Sequence, residues 1–169
     1  MLGDAGGTAD RCAGCGLAVA GGTAGCQAIF DELLARDFGD AVYFRRHRML
    51  VDVYSLQHPE RYCASAKSLA AHLGGLCSIL EHGASPAIGA EWLRIWLDGT
   101  PRLEKPALPA FRGALTIADV RAASDPEAHG QAVERWARAT WEACAPLHPV
   151  ARAWVDAARA HGAAGRRSV

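Results

Sequence analysis

The chain reads as all-α: a compact bundle of about five to six helices with an N-terminal metal knuckle. Three observations carry that reading. Apolar residues recur at three- and four-residue spacing along most of the chain, and no useful stretch alternates with the period of two that a half-buried strand needs. Capping residues followed by proline, as at Ser85-Pro86 and Asp125-Pro126, mark helix starts. Cys12, Cys15 and Cys26 crowd the amino end at a spacing suited to one ion.

In order, residues 1–11 are Gly-rich and expected to be flexible, residues 12–162 form a single helical metal-binding domain, and residues 163–169 are a fraying tail. The run C-A-G-C-G has the form of a metal knuckle, with Gly14 and Gly16 letting the backbone turn tightly. Cys26 then opens a helix whose apolar face is Ile29, Phe30, Leu33, Leu34 and Phe38. Gly39 and Asp40 read as the end of that helix and the cap of the next. The second helix is expected from Asp40 to Gln57, with Tyr43, His47, Leu50, Val51, Tyr54 and His58 on one stripe. Pro59 disfavours helical geometry at His58 and ends it. Arg48 and Asp52 are expected to pair on its outer side.

Ser65 caps a third helix faced by Leu69, Leu73, Leu76 and Leu80 and stopped by Gly83, with Glu81 and His82 capping and solvating its end. Ser85-Pro86 starts a fourth, with Ile88, Trp92, Ile95 and Trp96 apolar and Gly99 as the stop. Residues 100–114 hold Pro101, Pro106, Pro109 and Gly113 and read as an extended connection. Thr116 and Asp119 suggest a short capped turn. Asp125-Pro126 begins a fifth long helix faced by Val133, Trp136, Ala137, Thr140, Trp141 and Cys144. Pro146 interrupts it, and Pro149 opens a last helix carrying Val150, Trp154, Val155 and Ala158.

With 18 basic and 18 acidic residues, the formal charge is zero, so no global field draws the chain to nucleic acid or to an anionic membrane. Arg45, Arg46 and Arg48 read as a solvated face. No apolar run reaches the length of a membrane-spanning helix. The first ten residues carry acid rather than base and lack a long apolar core, so no signal peptide is expected. The expected address is the cytoplasm, where clustered thiols hold metal more often than they form disulfides.

Three sulfurs are one short of a closed tetrahedral site. If a tight turn near Gly39 makes the first two helices antiparallel, then Cys26 and His58 both lie at the end away from that turn, beside the knuckle. His58 is therefore the first choice for the fourth ligand. His47, roughly 16 Å earlier along the axis, could not share the ion with it; His47 or solvent in that place are the alternatives. Zinc is the expected ion because sulfur-rich, reduced, tetrahedral sites select it, and iron or copper share the preference for sulfur. A closed Cys12, Cys15, Cys26, His58 site would be structural and the protein a binding or regulatory module for a protein or small molecule. The plainer reading is three small buried apolar residues. A rival reading places His47 and His72 together in a helical pocket near Tyr43, Tyr54 and Cys77. There His47, His72 and Tyr54 would be the catalytic candidates of a small metalloenzyme. Against it stands the simpler view of two buried histidines fixing helix register. Cys63 and Cys144 read as packing, and His129, His148 and His161 as unremarkable. No Walker loop, G-x-S-x-G, G-x-G-x-x-G or H-E-x-x-H is present.

Cys12-x-x-Cys15-Gly16, Cys26, His47, Val51-Asp52-x-Tyr54-x-x-Gln57-His58-Pro59 and Ser65 through His72-Leu73 together resemble a family of small bacterial proteins classed as a domain of unknown function. Thr116 to Val120 and Trp136-Ala137 fit it too. The resemblance implies one continuous fold from about Cys12 to Trp154 and puts Cys12, Cys15, Cys26 and His58 in its motif set. It implies no chemistry.

Overall fold

A computed structural model describes residues 10–165. The expected flexibility of residues 1–9 and 166–169 lies outside the described residues. Helices α1 (Gly22–Gly39), α2 (Ala41–Phe44), α3 (His47–Gln57), α4 (Pro59–Tyr62), α5 (Ala66–Leu80), α6 (Pro86–Asp98), α7 (Ile117–Arg121), α8 (Pro126–Ala143) and α9 (His148–Gly165) follow one another, with a 3-10 turn at Ala145–Leu147. Among the described residues there are no strands, only one isolated bridge between Arg11 and Ala18. No described helix is long and apolar enough to cross a membrane.

Local chemistry sets most of the helix starts. The Ser65 hydroxyl accepts from the Ser68 amide, the Ser85 hydroxyl from Ile88, and the Asp125 carboxylate from Ala128. Each satisfies an amide that the first helical turn leaves without an intrahelical partner. Thr116 and Asp119 close a reciprocal box at α7. The core lies where α5 packs on α3, α6 and α9 and where α8 packs on α3. Leu50, Leu69, Leu73, Leu76, Val133 and Trp136 are fully buried there. Removing that much apolar surface from water is the main favourable term in folding.

Helices α1 and α3 run antiparallel, as contacts in reversed order show. Cys26 meets His58, Phe30 stacks on Tyr54 at 3.8 Å, and Asp37 meets His47. This brings the carboxyl end of α3 to the knuckle.

Several expectations need correction. The first helix begins at Gly22, one turn earlier than expected, so Cys26 lies inside it. The helix expected over Asp40–Gln57 is broken at Arg45–Arg46. The break lets α2 lean on α8: Tyr43 packs edge-on against His129, and Arg46 reaches Glu134 at 2.7 Å. Tyr43 and Tyr54 therefore do not share a stripe.

Phe38, expected on the buried face, is 71% exposed. Asp52 is fully buried rather than on an outer face. It accepts from Arg48 at 2.8 Å and pairs with His72 at 2.9 Å, tying α3 to α5. Glu81 is no simple solvated cap, since it accepts from Arg152 Nε and Nη2 and from the Trp141 indole. Those contacts, with the Arg152 hydrogen bonds foremost, hold its carboxyl below the usual range.

The proline-rich connection before α7 is pinned from inside. Buried Gln57 donates its amide to the carbonyls of Arg112 and Leu115, each at 2.8 Å. A buried donor that finds two carbonyls fixes a segment with no regular structure of its own.

Candidate metal centre

The knuckle is a closed loop. Cys12 N–H donates to Leu17 O, Gly16 N–H to Cys12 O, and Val19 N–H to Asp10 O. Gly16 sits at φ +78°, a left-handed turn that glycine makes without strain. Gly14 serves a different end. A Cβ there would fall 2.5 Å from His58 Cδ2 and 2.9 Å from the Gln57 carbonyl, so only a hydrogen lets the imidazole pack under the loop. Gly14→Ala should therefore push the loop from His58 and weaken metal binding at least tenfold, measured by competition with a chromophoric chelator.

Cys12, Cys15, Cys26 and His58 converge, each offering a ligand atom within 4.8 Å of the others. Cys12 Sγ and Cys26 Sγ lie 3.3 and 3.5 Å from His58 Nε2, and Cys15 Sγ lies 3.7 Å from Cys26 Sγ. Three elements supply them: the loop, α1, and the α3–α4 junction, where Pro59 holds His58 at a non-helical φ of −127° and ψ of 54°. The four can hold a metal ion.

The imidazole is set for that role. His58 Nδ1 lies 2.8 Å from the Tyr54 carbonyl, which only accepts. A proton therefore sits on Nδ1, and Nε2 faces the sulfurs, where an ion would take its lone pair. A carbonyl that takes the other ring proton fixes tautomer and ring angle in metal-bound histidine. Tyr54 also stacks on the ring at 4.0 Å and directs its hydroxyl at Cys26 Sγ, 3.8 Å away.

Electrostatics divide the six free cysteines into two groups. Burial pushes the isolated thiols up, Cys63 and Cys77 to about 12 and Cys144 to about 11, so they are inert packing groups. Cys15 goes the other way, to about 4, through hydrogen bonds from Cys26 and His58. At Cys12 burial acts upward, but backbone amides at Cys15 and Gly14 and the His58 ring outweigh it. The Cys26 thiol is driven up by its hydrogen bond to Cys15, by burial and by the neighbouring negative charge. Two thiolates resist a third at this distance, and a divalent cation reverses that balance. Burial also acts against a charge on His58, while its bonds to Cys15, Tyr54 and Cys12 raise it.

A model of a family of unknown function, DUF5946, matches residues 10–145. The chain belongs to that family. The DUF5946 match opens just before the knuckle, contains all four donors and closes at the end of α8. Helix α9, which packs on α5 and α6, lies beyond it. No curated protein and no solved structure matches the chain.

The other candidates fall elsewhere. His47 Nδ1 is 3.2 Å from Asp37, and His72 Nδ1 is 2.9 Å from Asp52. Each imidazole thus has its own carboxylate. Tyr54 lies against His58, with the cysteines. A cleft of about 290 Å³ beside the cluster is lined by Gly14, Gln27, Tyr54, His58, Arg61 and Tyr62.

Sequence reasoning passed over Asp37 and His129, both fully buried. The Asp37 carboxyl is pushed up by burial, against the pull of His47 and Arg36. His129 is held neutral, down to about 4, by burial and by Arg36 and Arg46.

Proposed function

We propose that the protein is a zinc protein whose ion is bound by Cys12, Cys15, Cys26 and His58 and is structural, and that the chain acts as a non-catalytic binding or regulatory module. The observation that carries this reading is the convergence of three sulfurs on an imidazole nitrogen whose opposite proton is already committed to a backbone carbonyl. Three sulfurs and one nitrogen are a zinc set, with iron and copper as the soft-ligand alternatives. Four protein donors, three of them buried, fill a tetrahedral shell and leave no position for substrate. The ion then fastens residues 10–21 onto α1 and the α3–α4 junction. Six free thiols suit a reducing compartment, and we place the protein in the cytoplasm.

The test is element analysis of purified protein and variants. About one zinc per chain is expected in the parent and in His47→Ala, with a loss of most of it in Cys15→Ser and His58→Ala. Near-zero metal in parent and variants alike would end the proposal. Equal loss in His47→Ala and His58→Ala would move the fourth ligand.

A further inference from the structure

On the far side of α1 from the knuckle, a second buried polar group ends at the surface. Asp37 Oδ2 faces His47 Nδ1 at 3.2 Å, and Asp37 Oδ1 lies 3.7 Å from His129 Nε2. The Arg36 guanidinium donates to His129 Nδ1, so the His129 proton sits on Nε2, toward the carboxylate. A carboxylate accepts, so His47 holds its proton on Nδ1 and turns Nε2 away from Asp37. The His47 ring is clamped between Phe44 at 4.9 Å and Phe38 at 4.8 Å.

His47 lines a cleft of about 350 Å³ at the surface, the size of a small-ligand site. Phe44, Pro86, Ala87 and Ala90 give it apolar walls. Its ionisable lining is Arg45, His47 and Arg48, with no carboxylate among the lining residues. The amino end of α6, Ser85-Pro86, opens on it as well, adding the partial positive charge of a helix start. Arg46 and Arg48 have carboxylate partners, and Arg45 has none among the described residues. A chain of zero net charge thus carries a locally cationic cleft with greasy walls. Phe44, one of the walls, is 46% exposed.

We propose that this cleft binds a small apolar molecule carrying one anionic head group, the head on Arg45 beside the amino end of α6 and the body on Phe44, Pro86 and Ala87. Charge complementarity selects the head, and the absence of a lining carboxylate removes the repulsion that would oppose it. Asp37 is buried behind His47, away from the cleft lining. The buried carboxylate fixes the imidazole, so the site is already shaped before ligand arrives. The site is separate from the cysteine cluster, so this inference stands or falls independently of zinc.

The experiment is calorimetric titration of the full metal-loaded chain with octanoate, octyl phosphate and octanol. Saturable one-to-one binding of at least one of the two anions is expected, with octanol at least tenfold weaker. The tighter anion names the head group. Arg45→Glu, an exposed change, should weaken that anion at least tenfold without altering metal content. No saturable binding of either anion would overturn the proposal. So would equal affinity for octanol, or a parent-like affinity in Arg45→Glu.

Discussion

On the zinc reading proposed above, a strong chelator should release residues 10–21 while the helical body stays folded. The amides of Cys12, Gly16 and Val19 are protected by hydrogen bonds inside the loop, and besides the cysteines the loop meets the body through Leu17, Val19 and the bond from Ala13 N–H to Thr23 Oγ1. A short loop of this kind has little apolar surface with which to hold itself. Structural zinc contributes about 10–16 kcal/mol in small zinc peptides, and much of that energy would be lost locally. Amide exchange at Cys12, Gly16 and Val19 should rise by at least a hundredfold after chelation. Exchange in α5 and α8, whose side chains pack around Leu73 and Trp136, should change little. Unchanged protection in the loop would mean that the ion does not hold it.

The second large effect is expected at Asp52. Its carboxylate has no solvent exposure and takes Arg48 on one oxygen and His72 on the other. Helix α5 comes so close that a Cβ at Gly75 would sit 2.4 Å from Asp52 Oδ2. Asp52→Ala leaves a guanidinium and an imidazole without their acceptor. Breaking a buried pair costs about 3–5 kcal/mol. Arg48 keeps the Ala71 carbonyl and about a third of its exposure, so about 2–4 kcal/mol is expected. Urea unfolding should show it as a lower midpoint at unchanged slope. Asp52→Asn, which keeps one acceptor, should lose less. A loss under about 1 kcal/mol in the alanine variant would show the pair to be a minor contact.

What could be read from the sequence was local. Ser65, Ser85, Thr116 and Asp125 announce α5 to α8 because a capping side chain meets amides two or three residues away. His58 was legible for the same reason: Pro59 ends a helix at a known point, and an antiparallel partner brings Cys26 there. The break at Arg45–Arg46 was hidden because its partners, His129 and Glu134, are far off in the chain. Asp52 was misplaced and Asp37 passed over because a carboxylate on a helix reads as solvent-facing until a histidine from another helix is known to meet it. The His47–His72 pairing came from helix counting alone, which gives height along an axis and says nothing of which carboxylate each ring will find.

The most direct test is X-ray absorption at the metal edge on protein purified without added metal. Zinc with about three sulfurs at 2.3 Å and one nitrogen at 2.0–2.1 Å is the predicted shell. A shell of light atoms without sulfur, or the absence of any bound metal, would contradict it.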